Sequence, residues 1–360
     1  MQPGLLERVG IRALTRRAPR VPEAGTERAT NPVHLLDADE RAALRRIERS
    51  GVVRSACAGA LSAVVAAAAE MLVVDQQETR PLFYWGVLAT VSIIAAIVEI
   101  WFVSWDALRT VHAMSAAAGV YGDERLPRAV ILTALARAAL EVPNPYTSTL
   151  GVDPLRESRR ALLVIGALVY KLKISATNAL LKLVVRRALG RAAVRSWLPL
   201  LAVPVTALWN AAVTALVLRE ARLRIFGPSL ALDVVERLLA PDGGPPSPRA
   251  AEGMLRAVAS CIVRSADLHP NLELLLATLV SKLAAAMPAD VSSSRAFLAL
   301  LPELDDVERL LVLRALRAAA VIDGRIARRE RALLQEAGAW SDEVDAERRR
   351  VLAGEPLLLT

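Results

Sequence analysis

The chain has 360 residues, 54% of them hydrophobic and 23% charged, with a formal net charge of +8. A soluble domain is usually about 45–50% apolar, so the excess must be sorted into apolar blocks and basic blocks. These figures exclude wholesale disorder, a collagen-like chain and a small disulfide scaffold, and they make membrane contact the first question. Nearly all the positive charge is arginine, since the only lysines are Lys171, Lys173, Lys182 and Lys282; GC-rich codon usage would produce the same choice. Cys57 and Cys261 stand in different segments and demand no oxidising compartment.

Residues 1–40 read as a basic flexible tail. They hold Arg8, Arg12, Arg16, Arg17, Arg20 and Arg28 among scattered Pro and Gly, and no continuous apolar run of the secretory kind. Leu5, Leu6, Val9 and Leu14 allow a short amphipathic turn or two. Asp37 or Asp39 is placed to cap a helix that begins near Glu40.

Two apolar stretches follow. Gly51–Val74 has only Arg54 and Glu70 charged, and Leu82–Trp105 has only Glu99. As helices each reaches roughly 36 Å, enough to cross a hydrocarbon core. Phe83, Tyr84 and Trp85 open the second stretch, and Trp101, Phe102 and Trp105 close it. That spacing matches aromatic belts at two membrane interfaces. Arg41, Arg45, Arg46 and Arg49 precede the hairpin, whereas its connector Asp75–Pro81 is net negative. The positive-inside rule therefore puts the connector outside and the N-terminus in the cytoplasm. Folding the hairpin about residue 78 brings Arg54 and Glu99 within about 4–5 Å in depth. They either pair across the hairpin as an intramembrane ion pair or snorkel separately to the inner interface.

Beyond the hairpin, Asp106 is a plausible cap for a further helix, Pro127–Val142 reads as an amphipathic helix, and 144–149 is rich in turn residues. The most basic stretch runs from Lys171 to Arg195 without an acid. Lys171, Lys182, Arg186, Arg187, Arg191 and Arg195 gather on its helical faces, which suits an anionic-lipid surface. A solvated face is the plain alternative. Nucleic acid is not expected, because no recognisable module and only Tyr170 accompany the charges. Ser196–Leu218 lacks formal charge but has basic residues at both ends and carries Pro199 and Pro204. It reads as a re-entrant, interfacial or protein-buried helix pair, with a third span as the alternative.

Asp106-x-Leu108 followed by Gly119-Val120-Tyr121-Gly122-Asp123 resembles the helix-and-YG motif of EcsC-like proteins. Pro199, Pro204, Asn210, Ala221 and Phe226 are similar to that family's closing helix. The resemblance covers about residues 50–230. It implies a bacterial, helical, membrane-associated domain of unassigned biochemistry, and it supplies no catalytic residue.

Pro241–Pro248, containing Gly243-Gly244-Pro245-Pro246, reads as a linker, here taken as 241–249. It divides a membrane region, 41–240, from a compact helical unit, 250–360. Helices are expected over 250–266, 271–287, 293–301, 304–321, 327–338 and 341–353. In Val321-Ile322-Asp323-Gly324-Arg325-Ile326 the glycine suits a left-handed turn, Asp323 can cap the next helix, and Glu330 falls in that helix's first turns. These residues also resemble the A-x-x-D-G-x-I-x-x-x-E signature of TerB-like domains, through Asp323, Gly324 and Glu330, with Ala266-Asp267 and Glu273 as a degraded earlier copy. That resemblance implies divalent metal at Asp323 and Glu330; end-capping is the competing role. Glu303, Asp305, Asp306 and Glu308 read as a helix start.

No HExxH, CxxC, GxSxG or glycine-rich phosphate loop is present, and His34, His112 and His269 lie far apart in sequence. No cofactor is expected. The expected fold is all-α, a transmembrane hairpin and helical region followed by a soluble TerB-like bundle. The expected function is non-enzymatic, at the bacterial inner membrane with both termini cytoplasmic. Anionic lipid headgroups and an unidentified protein bound by the C-terminal unit are the expected partners. What the resemblances imply is a role in envelope stress or transport. The alternatives are a conditionally inserting membrane effector and a soluble all-α adapter.

Overall fold

The computed structural model describes residue 8 and residues 10–12, 14–15, 36–119, 128–140, 144, 148–157, 198–239, 245–284 and 286–358, with the backbone alone at 128–131 and 198–201. Among these residues every regular element is helical; the one β feature is an isolated bridge between Thr149 and Val152. Asp37, rather than Asp39, starts helix α1 (Ala38–Val73): Glu40 N donates to Asp37 Oδ1 at 2.7 Å, and Asp37 N donates back to Glu40 Oε2 at 3.2 Å. This reciprocal cap satisfies two of the end's free N–H groups. A 3₁₀ turn, Val74–Gln76, leads to α2 (Pro81–Ala117), which opens on a proline whose missing N–H costs nothing there.

Helix α2 runs through Asp106 without interruption, so Asp106 is not a cap. The next elements are α3 (Arg128–Ala139) and α4 (Leu198–Leu238). The expected helix pair over 196–218 is instead one 41-residue helix that continues past Pro204 and Pro228. A proline removes one intrahelical bond and is tolerated where neighbouring helices support the chain. Helix α4 lies antiparallel on α1, with Arg222 beside Glu48, Leu218 beside Gly51, Thr214 beside Ser55 and Thr206 beside Gly59. Its Leu198 end therefore points toward the α1–α2 connector.

Six helices follow: α5 (Pro248–Ser265), α6 (Pro270–Leu283), α7 (Ser294–Leu300), α8 (Asp306–Val321), α9 (Arg328–Glu336) and α10 (Asp342–Ala353). Each falls where the hydrophobic spacing predicts one. The acidic cluster is the start of α8, where Asp305 accepts from Glu308 N at 2.8 Å. Helix α5 is buried over most of its length, at the centre of this group.

The second half of α4 belongs to the same core. Leu218, Ala221, Leu223, Phe226, Leu230, Val234 and Val235 are buried in one continuous cluster with Leu255, Ile262, Leu276 and Leu316. Leu44, Leu108, Val111 and Met114, from the near ends of α1 and α2, join it. The expected border at 241–249 thus does not isolate the C-terminal helices; α4 enters them before it.

The expected tail is also tied down in part. Residues 10–12 and 14–15 are helical, Leu14 is 1% exposed, and a Cβ on Gly10 would lie 2.8 Å from Leu140 Cδ1. This short helical segment packs on the end of α3, where Gly10 lies against Ala136 and Leu140; Leu5, Leu6 and Val9 lie outside the described residues.

The outer parts of the long helices are built the other way round. Leu61, Val64, Met71, Leu72, Leu82, Ile93, Ile97, Trp101 and Leu208 are exposed. Three helical stretches, Ala38–Gln76, Pro81–Ala117 and Ala202–Leu238, are long and apolar enough to cross a membrane.

Candidate functional site

Functional geometry concentrates along the two halves of α4. The upper half meets α1 on a stripe of small residues. The buried positions of α1 in this region are Gly51, Ser55, Gly59, Ala63 and Ala67, one every four residues. Small residues at this spacing let two helix backbones approach closely, the packing device available where lipid removes the hydrophobic drive between helices. The approach is tight: a Cβ on Gly59 would lie 2.6 Å from Asn210 Nδ2 and 2.8 Å from the Thr206 carbonyl oxygen.

Polar groups are threaded along this seam. Thr214 Oγ1 donates to Ser55 Oγ at 2.6 Å, and Ser55 Oγ donates to the Asn210 carbonyl at 3.4 Å. Asn210 Nδ2 donates to Glu99 Oε1 at 2.7 Å. Three helices are thereby joined by groups that would each be costly alone in an apolar medium.

The intramembrane pair expected between Arg54 and Glu99 is not formed. Arg54 Nε donates to Asp106 Oδ1 at 2.8 Å, and its other nitrogens donate to Thr110 Oγ1 at 2.9 Å and Ser50 Oγ at 3.0 Å. The reason is register. With Arg54 opposite Asp106 the hairpin turns near residue 80, because the 3₁₀ turn and the Pro81 start lengthen the connector. Glu99 then sits about two helical turns above Arg54, where α4 supplies Asn210.

The aromatic belts are mostly outward. Phe83, Trp85, Trp101, Phe102 and Trp105 are exposed, and the Trp101 and Trp105 rings stack with centroids 6.3 Å apart. Tyr84 departs from the expectation: it is 1% exposed, and its hydroxyl donates to Glu70 Oε1 at 3.4 Å. It stabilises the hairpin tip and does not face outward. Lys171, Lys182, Arg186, Arg187, Arg191 and Arg195, the expected lipid surface, lie outside the described residues.

The lower half of α4 carries a second polar cluster. Glu220 accepts from Arg325 at 3.1 Å, pairs with Arg224 at 2.9 Å and lies 2.9 Å from His269 Nε2. His269 also caps α6, its Nδ1 accepting from Asn271 N at 3.2 Å. Arg224 donates to Asn144, which donates to Asp267 at 2.9 Å. Asn271 Nδ2 donates to the carbonyls of Leu223 and Ile322, both at 3.0 Å. One network therefore fastens α4 to the starts of both α6 and the α8–α9 turn.

Asp323 and Glu330 stand at that turn. Gly324 has φ +73°, the left-handed conformation that glycine takes without strain. Asp323 Oδ1 accepts from Arg325 N at 2.8 Å, and Glu330 Oε2 accepts from Ala327 N at 2.6 Å. Burial, reinforced by the Asp323 charge, pushes Glu330 up to about 9, and burial pushes Asp323 up to about 6 despite the nearby His269. Among the described residues no three His, Cys, Asp or Glu side chains converge as a metal cage. The contacts these two carboxyls make are those of a turn and a helix cap. Burial likewise raises the Cys261 thiol, which keeps it inert.

The sequence singles out Asn210 only as part of a family motif, and it does not single out the seam partners Ser55 and Thr214 or the anchoring role of Glu48, Arg222 and Glu220. The four-residue spacing of Gly51, Ser55, Gly59, Ala63 and Ala67 was the available signal for the seam. Nothing local announces the anchors.

Comparisons with protein-family models, with curated proteins and with solved structures find no match to this chain.

Proposed function

We propose that the chain is a non-enzymatic, membrane-anchored protein in which the hairpin and the first half of α4 lie in the bilayer and the C-terminal helices form a cytoplasmic interaction module. The observation that carries this is α4 itself. One unbroken helix has an apolar first half that packs on a small-residue seam and exposes Leu208 and Leu216, and a buried second half in the core of the C-terminal helices. Exposed apolar surface of this extent marks a membrane or partner contact. The polar clusters support a structural role, since their groups bind helix starts, backbone carbonyls and one another. The EcsC-like and TerB-like resemblances agree with an inner-membrane protein whose C-terminal module meets a protein partner, in envelope stress or transport.

Carbonate extraction and a topology map test the proposal. Positive charge in the first turns of α1 puts the C-terminal helices inside and the connector outside. Because α4 is antiparallel to α1, reporters at residues 78 and 198 should read the outer side, and reporters at 150 and after 240 the inner side. Release of the protein by carbonate, or a cytoplasmic residue 78, would overturn it.

A further inference from the structure

Where the hairpin meets the C-terminal helices, a cleft of about 280 Å³ opens between α1 and α2, lined by Ile47, Ser50, Arg54, Arg109, Thr110 and Ala113. None of the six is acidic. The Arg54 guanidinium is held in place by Asp106, Thr110 and Ser50, and its side chain remains 40% exposed. Arg109 is exposed and makes no ion pair or hydrogen bond among the described residues. Arg54 and Arg109 against Asp106 leave one positive charge at the cleft. A guanidinium already fixed by its neighbours loses little freedom on binding an anion, and the planar fork suits phosphate oxygens.

The cleft's depth indicates the anion. Trp105, one turn before Arg109 on α2, is exposed and stacked on Trp101. Above them run the exposed apolar residues Val98, Ile97 and Ile94; α1 exposes Arg45 and Arg46 below the cleft and Arg49 beside its lower end, outside the lining. Interfacial tryptophans sit at headgroup level. Arg54 and Arg109 therefore stand at the depth of lipid phosphates.

We propose that this cleft binds a phosphate group, supplied by the headgroup of an anionic phospholipid. The inference rests on the membrane reading above and goes beyond it by assigning a site.

The test uses the full-length protein in nanodiscs of phosphatidylcholine with or without phosphatidylglycerol, with retained lipid counted by native mass spectrometry and inorganic phosphate as competitor. Arg109→Ala should lower phosphatidylglycerol retention at least tenfold with an unchanged thermal melt, since Arg109 bonds to no other residue among those described. Arg49→Ala removes the same charge outside the cleft, and should cost no more than the roughly fivefold expected of one basic residue near an anionic surface. Displacement of the lipid by phosphate, or phosphate binding that Arg109→Ala abolishes, would support the shared chemistry. Equal losses in the two variants, or no preference of the wild type for phosphatidylglycerol and no phosphate binding, would overturn the site. The two readings fail separately. Release by carbonate with Arg109-dependent phosphate binding sinks the membrane reading alone, and a carbonate-resistant protein indifferent to Arg109→Ala sinks the cleft alone.

Discussion

Replacing Gly59 by alanine should force α4 away from α1. The new Cβ would lie 2.8 Å from the Thr206 carbonyl oxygen, which is backbone and cannot rotate aside, and 2.6 Å from Asn210 Nδ2. Restoring ordinary contact requires the helices to part by about 0.6 Å, and such overpacking costs about 1–3 kcal/mol. Moving Asn210 also stretches its 2.7 Å bond to Glu99, and hydrogen bonds between membrane helices contribute about 0.6 kcal/mol on average. Against this, alanine gains about 1 kcal/mol over glycine as a helix former. The net expectation is a loss of about 0.5–2.5 kcal/mol, read as a lower melting temperature in detergent micelles. Gly86 supplies the control, because a Cβ there meets nothing within 4 Å. Gly86→Ala should leave stability unchanged or raise it by up to about 1 kcal/mol. Equal melting temperatures for the two variants would refute a close-packed α1–α4 seam.

Other consequences are open to measurement. A double-mutant cycle between Arg54 and Asp106 should show coupling, whereas one between Arg54 and Glu99 should be additive within about 0.5 kcal/mol; coupling in the second cycle would contradict the observed register. Arg222 joins Glu48 at 2.6 Å to the Leu352 carbonyl at 2.8 Å. Arg222→Ala should cost about 3 kcal/mol by leaving Glu48 without its partner, and should expose α10 to protease first. Glu330 has its folded value raised from 4.5 to about 9. The folded state thus holds the extra proton, so Glu330's contribution is most favourable below about pH 4.5 and is lost as pH rises toward 9, at up to about 1.4 kcal/mol per pH unit. Glu330→Gln keeps an acceptor for Ala327 N and should stabilise the protein above pH 7 while flattening its pH dependence. A steeper loss in that variant would show that the carboxylate is charged in the folded state.

Much of the helix inventory was legible in the sequence, for local reasons. Asp37 with Glu40 and Asp305 with Glu308 are capping boxes whose partners lie three residues apart, so spacing alone identifies them. Gly324 and Asp323 similarly make their turn with neighbours in the chain. The candidate site was less legible. Tyr84 sits among five exposed aromatic residues, and only its proximity to Glu70, on the other arm of the hairpin, explains its burial. Pro199 and Pro204 suggested a broken element, since a proline's local cost is visible in sequence while the packing that offsets it is not. The apolar turn around Leu14 was visible, but its docking site on α3 was not.

The amino-acid sequence by itself determined which stretches are helical, which are long and apolar enough to cross a membrane, and where the positive charge gathers. These follow from composition, period and caps, all of which act within a few residues along the chain. Only the tertiary structure decided that Arg54 meets Asp106, that Glu99 meets Asn210, and that α4 runs antiparallel to α1 from the exposed apolar surface into the C-terminal core. These depend on register between distant segments. Moving the fold point of the hairpin by two residues shifts every facing partner by four, about one full turn along the helix axis, and no local pattern encodes that displacement.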